Sequence, residues 1–168
     1  MKTILNLDEL FLDQLSNLYS GQLMLTSYLS RFNDKISSPE LVELMNQYKT
    51  KSLEQLTGLE IIFNMLNKTP ENDRNPIMKS ILDGAMEAIM KNSYSEFIDV
   101  SIIKSLQQIC HHKVAGYRSA YIYANALGHE YISRLIYLNI FEEKKMDKEL
   151  SSAAIKKIRV GNTAPLFI

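Results

Sequence analysis

The sequence has no second cysteine, no excess of either charge, few glycines and prolines, and no long apolar run. Cys110 is the single cysteine, so no intramolecular disulfide can form, which fits a reducing compartment. Lys plus Arg and Asp plus Glu are both 19, leaving a net charge of zero and no broad basic field for nucleic acid or anionic lipid. The opening MKTILNLDEL lacks a full apolar stretch and meets Asp8 and Glu9 too early for a secretory signal. No run approaches the roughly 20 apolar residues of a membrane span, so a soluble, cytoplasmic protein is expected. Gly-rich phosphate loops are missing, and the three histidines support no Ser/His/Asp arrangement. Neither a repeat of solenoid period nor a low-complexity segment is present.

The 46% hydrophobic and 23% charged composition suits one globular domain over residues 1–168 with a sizeable core. The six glycines and four prolines fall mostly where helices should start or stop, the punctuation of an all-α chain. A first helix is expected from about Leu7 to Asp34. A second opens at Ser38-Pro39-Glu40, with a cap, a proline at the first helical position and an acid in the first turn, and continues to about Leu66. The polar connection Asn67 to Arg74 follows, and Asn75-Pro76 then starts a shorter helix to about Lys91. A fourth helix is expected over Ser95 to Leu127 and a fifth over Glu130 to Ile158, with Gly128 as the C′ residue between them and Gly161 to Ile168 as a loosely held tail. The long helices, at 1.5 Å rise per residue, would each span about 40 Å. Two long helices, a short crossover helix and two more long helices suggest paired antiparallel hairpins, the layout of a ferritin-like four-helix bundle with one long connection.

Each long helix carries an apolar stripe with a polar residue near its middle. The stripes are Phe11, Leu15, Leu18, Gln22, Leu25, Leu29; Leu41, Leu44, Tyr48, Lys51, Gln55, Leu59, Ile62; Ile103, Leu106, Cys110, Lys113, Tyr117, Tyr121; and Ile132, Ile136, Asn139, Glu143, Met146, Leu150. Spacing by three and four places each set on one helix face. A bundle would therefore bury Gln22, Lys51, Gln55, Cys110, Lys113 and Glu143 as a polar layer, which is costly unless its members are paired, hydrogen-bonded or metal-bound. A ferritin-like di-iron site needs several carboxylates and Glu-x-x-His pairs to offset two multivalent ions. Here the groups are mostly neutral or cationic, and an ammonium offers a metal no lone pair.

Four segments carry a resemblance: LFLDQLSNLYSGQ, SLEQLTGLEIIFNMLNKTP, QQICHHKVAGYRSA and FEEKKMDKEL. Together they resemble the YciE/YciF-type ferritin-like family of bacterial stress-associated proteins over nearly the whole chain. In that family a helix-one acid falls on Gln22, a Glu-Thr-x-x-Gln pattern on Lys51, Ser52 and Gln55, and a Glu-His-x-Glu pattern on Cys110, His111 and Lys113. The Glu-Glu-Lys-x-x-Asp pattern is retained as Glu142, Glu143, Lys144 and Asp147. The resemblance thus implies the fold, with four metal-site positions changed.

Two readings of Lys51 and Lys113 follow: at the stripe's edge with stems on apolar surface and heads in water, or inside the bundle, replacing metal and pairing with Glu142 or Glu143. Adjacent helical residues point about 100 degrees apart, so Cys110, His111 and His112 cannot converge on one zinc. His111 is either an interhelical ligand with Glu143 or an ordinary hydrogen-bonded histidine, and Cys110 reads as a small buried apolar residue. The Tyr117, Tyr121, Tyr123, Tyr131 and Tyr137 patch reads as core and core-edge packing, with Tyr123 off the inner stripe and suited to self-association. The resemblance adds the expectation of a homodimer. The function expected is a non-enzymatic, stress-associated bundle with a degenerate metal site, no cofactor, and no nucleic-acid or membrane partner. The alternatives are a ferroxidase-like protein binding iron, manganese or zinc through Gln22, Gln55, His111, Glu142, Glu143 and Asp147, and a helical adaptor.

Overall fold

The computed structural model describes residues 3–70 and 75–161, and of residues 96 and 159–161 only the backbone. Among the described residues the secondary structure is five helices: α1 (Leu7–Asn33), α2 (Pro39–Met65), α3 (Pro76–Lys91), α4 (Ser95–Ala126) and α5 (Glu130–Gly161). Among the described residues there is no strand. The caps explain the boundaries. Asn6 accepts from Glu9 N at 2.9 Å, Ser38 from Leu41 N at 3.4 Å and Asn75 from Met78 N at 2.8 Å, with proline at the first position of α2 and α3. Gly128, at φ +75°, closes α4: its N–H reaches Asn125 O, and that of His129 reaches Ala124 O, a Schellman arrangement. Asn67, at φ 51°, does the same for α2. Helix α5 runs past Ile158 to Gly161, since nothing before that glycine breaks it. The expected tail beyond Gly161 and the end of the polar connection, residues 71–74, lie outside the described residues.

Packing joins α1 to α2, α2 to α5, α5 to α4 and α4 to α1, a closed square with α2 and α4 on one diagonal. Short loops make α1/α2 and α4/α5 antiparallel hairpins, and α3 crosses over against α1 and α4. This is the all-α, ferritin-like bundle expected from the element order.

Its core is divided in two. One cluster gathers Leu25, Leu29, Phe32, Leu41, Met45, Tyr48, Leu106, Cys110, Met146 and Leu150 with part of α3. The other gathers Phe11, Leu15, Leu18, Leu59, Ile62, Tyr117, Ile132 and Ile136. The gap between them falls at positions 22, 52–55, 113 and 143, where the buried residues are polar.

Two further buried polar groups fix the ends of the helices against one another. Asp99, fully buried, accepts from Ser37 N at 3.0 Å and Ser37 Oγ at 2.9 Å and pairs with Lys157 Nζ at 2.6 Å, pinning the α1–α2 loop to α4 and α5. Asn75 donates through Nδ2 to Asn17 Oδ1 at 2.9 Å while its Oδ1 caps α3. That approach requires Gly21, because a Cβ there would stand 2.9 Å from Asn75 Nδ2. Gly21→Ala should therefore lower stability in urea unfolding by about 1 kcal/mol or more, the overpacking cost exceeding the helix-propensity gain. Gly58→Ala, where a Cβ meets nothing within 4 Å, should raise stability by about 0.5–1 kcal/mol.

Candidate functional site

The layer between the two core clusters is built from all four long helices. Helix α1 supplies Gln22; α2 supplies Tyr48, Ser52 and Gln55; α4 supplies Cys110, Lys113 and Tyr117; and α5 supplies Glu143. Lys113 and Glu143 are 2% and 1% exposed, and Nζ lies 2.6 Å from Glu143 Oε1. Such burial costs several kcal/mol per ion, so the partners of the carboxylate decide whether it is tolerated. Gln55 Nε2 donates to Oε1 at 2.8 Å and Tyr48 OH donates to Oε2 at 2.9 Å. Both carboxylate oxygens are thus engaged by donors from α2 and a cation from α4.

The carboxylate also orients its neighbours. It can only accept, so Gln55 must turn its nitrogen toward it and its oxygen away. Gln55 Oε1 then accepts from Gln22 Nε2 at 2.5 Å, and Gln22 Nε2 also lies 3.4 Å from Tyr117 OH and 3.5 Å from Ser52 O. A polar relay runs from α5 through α2 to α1. Its far end is incomplete: among the described residues Gln22 Oε1 and Ser52 Oγ have no hydrogen-bond partner. Lys113 Nζ is in ion-pair contact by distance, but no acceptor lies in hydrogen-bonding geometry to it. The ring of Tyr48 lies beside it, 5.1 Å from Nζ to the centroid.

Of the residues expected in this layer, Gln22, Gln55, Cys110, Lys113 and Glu143 lie in it. Lys51 does not. It is about half exposed and pairs with Glu54 at 2.8 Å, because the buried face of α2 steps from Tyr48 by four to Ser52 rather than by three. The repeat Leu41, Met45, Tyr48, Ser52, Gln55, Leu59, Ile62 carries that phase and was the available signal for Ser52. Glu143 faces inward and Glu142 is partly exposed; both, with Tyr48, line a cleft of about 410 Å³ between α2 and α5.

His111 is not directed at Glu143. Its side chain is largely exposed and meets Asp147 Oδ2 at 3.1 Å, one helical turn away from the layer, where Gln107 also contacts Asp147. His112 turns toward Asn75 Nδ2, 3.4 Å away, and burial lowers its pKa. Hence Gln22, Gln55, His111, Glu142, Glu143 and Asp147 are not one constellation. Among the described residues no three His, Cys, Asp or Glu side chains are grouped to hold a metal ion. In the layer itself Glu143 is the one carboxylate, and an ammonium already occupies its Oε1 side. This donor set does not fit a di-metal centre, whose charge requires several anionic oxygens.

Burial also raises the pKa of Tyr48, Tyr117 and Cys110, and the negative charge of Glu143 adds to the rise in each. Cys110 Sγ lies 3.5 Å from Tyr48 OH, so the thiol is a protonated part of the network. A tyrosine held neutral in the fold stabilises fully below its unfolded pKa of 10.0. Above it, the unfolded chain ionises first, and that stability is lost as pH climbs toward the raised folded value. From neutral pH upward, unfolding midpoints in urea should hold steady to about pH 10 and fall above it, and Tyr48→Phe should flatten part of that fall.

Residues 6–161 match the family described as a domain of unknown function, DUF892. Over 159 residues, 94% of each protein, the chain is 24% identical to Protein YciF of Escherichia coli (strain K12). The fold superposes on the solved structure of the E. coli stress protein YciF with a TM-score of 0.87 at 23% identity, covering 95% of this chain and 99% of that one. It superposes on that of YcfI from Rhodopseudomonas palustris with a TM-score of 0.87 at 22% identity, covering 90% and 96%. The chain belongs to the DUF892 family and is a YciE/YciF-type member of it.

Proposed function

We propose that this protein is a non-enzymatic, stress-associated structural bundle in which an ion-pair and hydrogen-bond layer stands in the place of a di-metal centre. The observation that carries this reading is the Lys113–Glu143 contact of 2.6 Å at the centre of the bundle, with both side chains buried. A cation entering there would have to displace an ammonium and would find one carboxylate, two carboxamides, two phenols, a hydroxyl and a thiol. Hard multivalent ions gain little from such a set. The stress association is carried over from the similarity to the E. coli stress protein YciF.

A cytoplasmic, homodimeric protein completes the reading. No helix among the described residues is long and apolar enough to cross a membrane. Helix α5 exposes Tyr137, Leu138 and Phe141, more than half accessible each, which suits self-association better than Tyr123, which is half-buried. A neutral net charge favours neither nucleic acid nor anionic lipid.

Elemental analysis of protein purified from medium containing iron, manganese and zinc tests the metal-free layer. We expect well under about 0.1 equivalent of each, since one carboxylate already paired with an ammonium is a poor site for a hard ion. Stoichiometric metal that is lost in Glu143→Ala would overturn the reading.

A further inference from the structure

The layer contains more than an ion pair needs. Lys113 Nζ and Gln55 Nε2 stand on the same carboxylate oxygen, Glu143 Oε1, at 2.6 and 2.8 Å. A primary amine and a primary carboxamide are thereby held together by a group able to carry protons between them. Gln55 Oε1, the oxygen that would gain charge if Nζ attacked the carboxamide carbon, accepts from Gln22 Nε2 at 2.5 Å. A donor already aimed at a developing oxyanion is what acyl-transfer sites supply. Lys113 Nζ meets Glu143 Oε1 at 2.6 Å as an ion pair, the contact through which it can give up a proton. Lys113, Gln55, Gln22 and Glu143 are all buried, which keeps water from competing as the nucleophile.

We propose that the layer is a self-modification site, at which Lys113 and Gln55 join in an isopeptide bond with Glu143 as proton carrier. Glu143 takes a proton from the Lys113 ammonium across their contact, and the freed lone pair of Nζ attacks Gln55 Cδ. The C–N bond forms as the carbonyl electrons move to Oε1, where Gln22 holds them. Glu143 returns the proton to Nε2, the carbonyl re-forms, and the Cδ–Nε2 bond breaks. As ammonia leaves, Glu143 takes a second proton from Nζ, so of the three ammonium protons one departs with the ammonia, one stays on the new amide nitrogen and one ends on Glu143, which is left as a neutral buried acid rather than a carboxylate without a counter-ion. No oxidant, reductant or cofactor enters. Glu143 is the poorer electrophile, because as a carboxylate it carries a negative charge spread over two equivalent oxygens. Holding the reactants together in the buried layer supplies the effective concentration that an uncatalysed transamidation in water lacks.

The product would tie α2 to α4 across the diagonal of the square, linking helices that have no connecting hairpin. This inference rests on the metal-free reading of the layer, but its test reads mass rather than metal. Intact-mass spectrometry of the denatured full chain should show a deficit of about 17 Da, one ammonia, and proteolysis should yield one peptide joining Lys113 to Gln55. Lys113→Arg keeps the cation without the attacking amine and should restore the full mass, as should Glu143→Gln. A wild-type mass equal to that of the sequence, with Lys113 and Gln55 in separate peptides, would overturn the proposal. So would a deficit that persists in Lys113→Arg, or one of about 18 Da mapped to Lys113 and Glu143, which would make the carboxylate the electrophile. Metal-free protein of unmodified mass would fail this inference alone, whereas stoichiometric metal with unmodified mass would fail both.

Discussion

The buried pair of Lys113 and Glu143 sets the conditions that the rest of the bundle must meet. Two opposite charges, each almost wholly removed from water, are tolerable only with close mutual approach and with the remaining carboxylate oxygen satisfied. Tyr48 and Gln55 of α2 provide that satisfaction, so α2, α4 and α5 are held to one relative height. Gln55 then dictates the amide orientation of Gln22 on α1, and the constraint reaches the fourth helix. A shift of any helix by one turn would leave an ion or an amide buried without a partner.

That constraint gives meaning to the divided core. The apolar clusters on either side of the layer are ordinary interlocking side chains, and contacts of that kind tolerate several registers. The polar layer removes this degeneracy, in the way a single polar residue specifies register in a coiled coil. The outer pins, Asp99 with Ser37 and Lys157, and Asn75 with Asn17, repeat the device near the bundle's end and at the crossover. Specificity of packing is the property these buried polar groups share.

Much of this was legible in the sequence, and the rest was not for identifiable reasons. Helix starts were marked by Ser38-Pro39 and Asn75-Pro76 and an end by Gly128, because caps act through neighbours in the chain. The polar interruptions at Gln22, Lys113 and Glu143 were legible because a stripe has a period. Lys51 misled because positions 51 and 52 are both compatible with a stripe that alternates three and four; the competing repeat through Met45, Tyr48 and Ser52 carries the buried phase. The same ambiguity of phase hid which of Glu142 and Glu143 turns inward. His111 was separated from Glu143 by a rotation about α4 that no motif records, and it pairs with Asp147 instead. Asp99, and the contact of Asn75 with Asn17, carried no local signal, since those partners are tens of residues away.

The most direct test of the central pair is a double-mutant cycle in urea unfolding on Lys113→Met and Glu143→Gln. Each single variant leaves one buried charge without its counter-ion and should lose about 3–5 kcal/mol. The double variant removes both charges and should lose less than the two losses combined by about 2 kcal/mol or more. Losses that add to within about 0.5 kcal/mol would show that the two side chains act independently, and that the pair is not what holds the layer together.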